Sequence, residues 1–162
     1  GGPPLRSGLY NNNVQIVQTP DHIMLMVEMI HDVRIARISD KPADERMTAW
    51  MGDPMARWEG DTLVVETANI HPDQRLDRTL QSAAGRITER FTRISDRQIL
   101  YQFEVDDPAL YSQPWKGEMA LNASKPIYEY ACHEGNHAME GILRGARHRE
   151  ALGLPLDQAN EE

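Results

Sequence analysis

"RITERFTRISDRQILYQFEV", residues 86–105, contains two strands and the turn that joins them. In its second half Ile99, Tyr101, Phe103 and Val105 alternate with Gln98, Leu100, Gln102 and Glu104. A period of two sends successive side chains to opposite faces of a strand, so one row points inward and the other mostly outward. "RITERFTRI" is the partner arm, and Ser95-Asp96 supplies the turn. A hairpin with one apolar face cannot bury it alone, so the neighbouring segments decide the architecture.

Working outward, "RWEGDTLVVET" (57–67) reads as a second hairpin around Gly60-Asp61, and "VQIVQ" (14–18) as a short strand. The longest apolar segment is "IMLMVEMIHDVRIARI" (23–38). Apolar content alone fits helix or strand. Its β-branched second half and the bounding turns "TPDH" and "SDKPAD" favour one long bent strand or two short ones. "WKGEMALN" (115–122) and "PIYEYAC" (126–132) add two more strands, while "ANIHPDQRLDRTLQSAAG" (68–85) is polar, with room for a single helical turn.

Short connections between consecutive strands predict an antiparallel meander. Such a meander buries its apolar face by forming a closed or half-closed β-barrel of lipocalin-like type; a two-sheet β-sandwich is the alternative. The period then changes. Met139, Ile142, Leu143 and Ala146 fall at i, i+3, i+4 and i+7, which predicts one C-terminal amphipathic helix over 136–152. The expected layout is a single domain: a flexible lead-in (1–9), a β-barrel (10–132), the helix and a polar tail (153–162).

Composition narrows the function classes. The 162 residues carry a net charge of −8, which disfavours a nucleic-acid partner. The basic group Arg144, Arg147, His148 and Arg149 suits the negative end of its own helix. The single cysteine, Cys132, allows no internal disulfide, and no apolar run reaches the ~18 residues of a membrane-spanning helix. The opening "GGPPLRSGLY" has no initiator Met and reads as a mature or trimmed product.

The most provocative motif is "ACHEGNHAMEG" (131–141), which contains a literal H-E-x-x-H. On a helix, His133 and His137 would share a face, Glu140 would join them as a third zinc ligand, and Glu134 would polarise a metal-bound water. Gly135 is a poor helix residue and Asn136 a good N-cap, however, and the three ligands lie away from the apolar stripe. If the helix starts at Asn136, the i, i+4 geometry is lost. His133 and Glu134 then occupy a strand-to-helix corner, either as an acid–base pair at a pocket mouth or as a plain structural corner.

A second polar intrusion lies in "EMIHD" (28–32). If the register of 23–35 is unbroken, Ile23, Leu25, Val27, Met29, His31, Val33 and Ile35 share the inner face and His31 stands in an apolar row. A bulge near Met29–Asp32 would exchange the faces and bring Glu28 inside. The candidate catalytic residues are therefore His133, Glu134, His31 and Glu28. The candidate ligand-binding residues are Trp50, Arg34, Tyr128, Tyr130 and Asn136. No cofactor is favoured; zinc, on His133, His137 and Glu140, belongs to the alternative. The expected partner is a small, partly apolar molecule, and a homo-oligomer is compatible with the sequence.

Taken together, "YNNNVQIVQTPD", "VEMIHDVRI", "WMGDPMARWEGDTLVVET", "ERFTRI", "VDDP" and "PIYEYACHEGN" resemble a family of uncharacterised exported bacterial proteins from sphingomonads, acidobacteria and planctomycetes. The resemblance runs from about residue 10 to 149. It implies a periplasmic or extracellular home and carries no established reaction or fold. In that family the position of His137 is often tyrosine and that of Glu140 varies, so both depart from its pattern here. Glu28, His31, Asp32, His133, Glu134 and Asn136 fit it. Three functions follow: a pocket protein that is an enzyme of hydrolase or lyase type using His/Glu acid–base chemistry, a non-catalytic ligand-binding or structural module of the cell envelope, and a zinc hydrolase.

Overall fold

The computed structural model describes residues 2–7, 12–41, 48–74, 82–131, 134–135 and 137–153. Expectations that fall on Cys132, His133, Asn136, the 75–81 stretch and the tail from 154 lie outside the described residues. Two compact units are present, Gly1–Tyr130 and Ala131–Glu162. The first is one sheet of eight strands: β1 (Val14–Gln18), β2 (His22–Val27), β3 (Val33–Ile38), β4 (Asp53–Glu59), β5 (Thr62–Ala68), β6 (Arg86–Ser95), β7 (Gln98–Asp106) and β8 (Trp115–Asn122). Their order across the sheet is their order along the chain, and the sheet curls into a half-barrel. The fold is the expected all-β class with one C-terminal helix, in its half-closed form.

Two details correct the sequence reading. The meander is not wholly antiparallel: β3 and β4 pair in parallel, Arg37 beside Met55 and Ile38 beside Ala56. Parallel neighbours need a crossover of roughly a dozen residues, which the connection from Ser39 to Gly52 provides. And "PIYEYAC" does not form the expected strand; its described residues, 126–131, have no regular secondary structure and pair with no strand.

The long apolar segment resolves into two strands, β2 and β3, joined by a tight turn at Met29–His31. Ile30 (φ 70°) and His31 (φ 61°) are left-handed there, and Val27 N–H donates to Asp32 O at 2.9 Å to close the turn. A β-branched residue in that region is strained by about 1–3 kcal/mol. The reversal exchanges odd and even faces. Ile23 pairs with Ala36 and Leu25 with Arg34, all inward. Val33, Ile35 and His31, which an unbroken register would have placed inside, are exposed, and Glu28 is buried.

The opening residues differ from a loose lead-in. Residues 2–5 are buried, and Leu5 belongs to the main core with Leu25, Val27, Leu63, Phe91 and Tyr101. Leu5 has both an apolar side chain to bury and a backbone donor to place. Prolines beside it lower the chain entropy that ordering costs.

At the centre of the half-barrel is a buried polar group. Arg34 on β3 donates to both oxygens of Glu89 on β6, at 2.5 and 3.0 Å, and neither side chain is more than 1% exposed. Tyr101 on β7 donates its O–H to Glu89 Oε1 at 2.7 Å and accepts the Leu5 N–H at 2.8 Å. Burial opposes the charge on Arg34, but the adjacent Glu89 carboxylate prevails and raises its pKa. Burial, and then the same carboxylate, push the Tyr101 hydroxyl well above the ordinary tyrosine value.

The second unit contains α1 (Ala138–Ala151). It starts two residues later than expected, with His137 at its N-cap and Gly135 left-handed at φ 71°. Met139, Ile142 and Leu143 on its apolar stripe are exposed.

Two predictions arise from the buried group. Glu89→Ala strands a buried guanidinium and lowers the stability measured by urea unfolding by about 3–5 kcal/mol. Removing both charges together, Arg34→Met with Glu89→Leu, loses less than the single change. Tyr101 is the second. Its folded pKa lies above the unfolded value near 10, so its contribution is complete below about pH 10 and is lost as pH rises beyond it. Stability then falls by about 1.4 kcal/mol per pH unit for this one proton. Unfolding free energies between pH 9 and 11.5 check the slope, and Tyr101→Phe removes this component of it.

Candidate functional site

Because the sheet is only half closed, β1 and β8 are its two edges. Each presents alternate side chains to the interior: Val14 and Ile16 on β1, Met119 and Leu121 on β8. These four pack against the main core but remain partly exposed. They border a cleft of about 900 Å³, completed by Leu5, Val27, Ile99 and Ile127. That volume lies within the ~300–1,000 Å³ typical of small-molecule sites.

A strap of chain accompanies the cleft. After β8, Ala123 N–H donates to Arg97 O at 2.7 Å, in the β6–β7 turn. Five residues later Tyr128 N–H donates to Glu28 Oε1 at 2.8 Å, beside the β2–β3 turn. Residues 123–127 between these two anchors line the cleft. Glu28 is the far anchor. Its other oxygen, Oε2, accepts from Asn13 Nδ2 at 2.6 Å, and its own N–H donates to Asn13 O at 3.0 Å. One buried carboxylate thus ties the entry to β1, the end of β2 and the strap.

The expected site residues do not form one constellation. Glu28 is buried and hydrogen-bonded as a tie between segments, and it does not line the cleft. His31 is exposed on the turn. Arg34 faces the core, but its guanidinium is engaged by Glu89 and stands apart from the cleft lining. Tyr128 contributes its backbone N–H while its side chain is 73% exposed, and Tyr130 is half-buried. Trp50 is 57% exposed and packs on the His71 ring at 5.4 Å between centroids. None of Trp50, Tyr128 and Tyr130 lines the cleft.

In the second unit Glu134 is exposed in a turn. His137 Nδ1 lies 3.5 Å from Glu140 Oε2, and Glu140 also accepts from Arg144. Glu134, Gly135 and His137 precede the helix, so the turn-by-turn alignment of an H-E-x-x-H helix is not formed. Among the described residues no three His, Cys, Asp or Glu side chains are grouped to hold a metal.

The residues that do line the cleft were missed by the sequence reading as site residues. Ile16, Ile99, Met119 and Leu121 lie in segments read only as strands, and Arg93, Arg97 and Lys125 carried no motif. Only the position of the gap makes them a group. Glu89 did leave a signal, as an acid inside the alternating row Ile87, Glu89, Phe91. No helix among the described residues is long and apolar enough to cross a membrane. Compared with protein-family models, curated protein sequences and solved structures, the chain finds no match.

Replacing the carboxylate at the strap's far anchor tests its role. Glu28→Ala leaves Tyr128 N–H and Asn13 Nδ2 without this partner and costs about 1–3 kcal/mol. Hydrogen exchange at the Tyr128 amide accelerates more than in the β6–β7 ladder, because the strap opens locally before the sheet does.

Proposed function

We propose that this protein is a binding module for a small, partly apolar molecule, held between the edges of its half-barrel. One observation carries this reading. The inward side chains of β1 and β8 border a cleft of about 900 Å³ where a closed barrel would have packed them against each other. Half-exposed apolar side chains gain about 25 cal/mol for each Å² removed from water. A ligand seated among Ile16, Ile99, Met119 and Leu121 would collect that gain. The strap at 123–127 gives it a further wall.

Binding is preferred here to acid–base catalysis. The acid best placed for it, Glu28, is occupied with Asn13 and with the strap, and the His31 imidazole faces solvent. A general base must come within hydrogen-bond reach of the proton it takes, and neither group lines the cleft. A periplasmic or extracellular setting is part of the same reading and rests on the family resemblance.

The test uses a neutral apolar fluorophore, N-phenyl-1-naphthylamine, whose emission rises on transfer out of water. The protein enhances its emission saturably. Leu121→Trp fills the cleft from β8 and reduces the affinity by about tenfold or more, with an unchanged far-ultraviolet circular dichroism spectrum. Equal binding by Leu121→Trp and the parent chain would place the fluorophore elsewhere and defeat the proposal.

A further inference from the structure

The charges around the cleft are one-sided. Among the described residues its lining includes Arg6, Arg93, Arg97 and Lys125, against one carboxylate, Asp96. Asp96 is already engaged, 3.2 Å from Arg93. This is the reverse of the chain as a whole, where acidic residues outnumber Lys and Arg by 25 to 17. Three of these cations, Arg93, Arg97 and Lys125, also share a location. Arg93 and Arg97 flank the β6–β7 turn, and Lys125 follows the strap's first anchor, where Ala123 N–H meets Arg97 O. Among the described residues neither the Arg97 nor the Lys125 side chain enters an ion pair. The apolar lining comes from both edges of the sheet, Val14, Ile16 and Val27 on the β1–β2 side and Ile99, Met119 and Leu121 on the β7–β8 side.

Resting on the binding reading above, we infer that the cleft takes a single-chain anionic amphiphile. Its hydrocarbon tail lies between Ile16, Val27, Met119 and Leu121, and its carboxylate head is held by Arg97 and Lys125 at the β6–β7 turn. The two parts of the ligand match the two parts of the lining. A neutral apolar molecule uses only the first, and a cationic one is repelled by the second. Electrostatic complementarity of this kind selects among ligands of equal apolar area.

The test compares three ten-carbon probes on the full chain, below their micelle concentrations, by displacement of N-phenyl-1-naphthylamine. Decanoate is expected to bind about tenfold or more tightly than decanol at low ionic strength, and decyltrimethylammonium more weakly than either. Raising the salt to about 0.5 M narrows the gap, because exposed charges are screened. In Arg97→Ala/Lys125→Ala the decanoate-to-decanol ratio falls to about one. Lys116→Ala, on β8 but paired with Glu104 and outside the lining, keeps the parent ratio.

Equal affinity for decanoate and decanol overturns the anionic head while the apolar cleft stands. So does preference for the cationic probe, and so does fluorophore binding that no ten-carbon probe displaces. Failure of the fluorophore and of all three probes to bind overturns both readings. The three-probe comparison on the parent chain stands without the variants.

Discussion

Arg34 and Glu89 sit on β3 and β6, strands separated by β4 and β5 in the sheet. In a flat sheet two strands three places apart lie about 14 Å from each other, beyond the reach of a two-point hydrogen-bonded contact. The contact exists because the sheet curls, and once made it holds the curl. Water cannot solvate either charge, since both are almost wholly buried, so each depends on the other and on Tyr101. This is a specific constraint: one guanidinium, one carboxylate and one hydroxyl fix which inner faces oppose. It also explains the buried N-terminal stretch, whose Leu5 N–H completes the acceptor capacity of Tyr101.

The same curl leaves two edges. An exposed strand edge invites pairing with another chain, and proteins commonly cover or blunt it. Here the chain that leaves β8 crosses from the β6–β7 turn to the β2–β3 turn and is fastened at both ends. It contributes a wall without adding a strand. What results is a half-barrel whose last inward residues, Val14, Ile16, Met119 and Leu121, face a cleft. The cleft follows from stopping the sheet at eight strands, and no special motif is needed to create it.

Most of the architecture was legible from period and punctuation. Seven of the eight strands correspond to segments picked out by alternation or by bounding turns, because a period of two is a local property. The parallel β3–β4 pair, one of the seven strand pairings, depends on a crossover whose path is not local. The face of each residue in 23–38 was legible only up to Glu28. Beyond it the answer turned on whether the chain bulged or reversed, and the left-handed Ile30 and His31 make it reverse. Side-chain types do not announce such a conformation, since isoleucine disfavours it. The site was less legible still. His133 and Glu134 attracted attention because their spacing matches a known chemistry, whereas Met119, Arg97 and Lys125 have no local signature at all. They form a group only because the two ends of the sheet come near each other.

An anionic ligand on an acidic protein raises an apparent contradiction. Its resolution lies in the range of the forces. At physiological ionic strength a charge is screened over about 8 Å, so a ligand within the cleft senses the cations that line it far more than the acids elsewhere on the surface. Several of those acids are also committed to partners of their own. Glu59 is held by Arg90 and Arg57, whose guanidinium groups pull its pKa below the ordinary value, and Glu66 is paired with Arg57. The outer face of β4–β6 is therefore a network of matched charges, while the cleft lining carries an excess of one sign. Net charge governs how the molecule behaves at a distance. On the proposed reading, Arg97 and Lys125 beside the apolar lining govern what it holds.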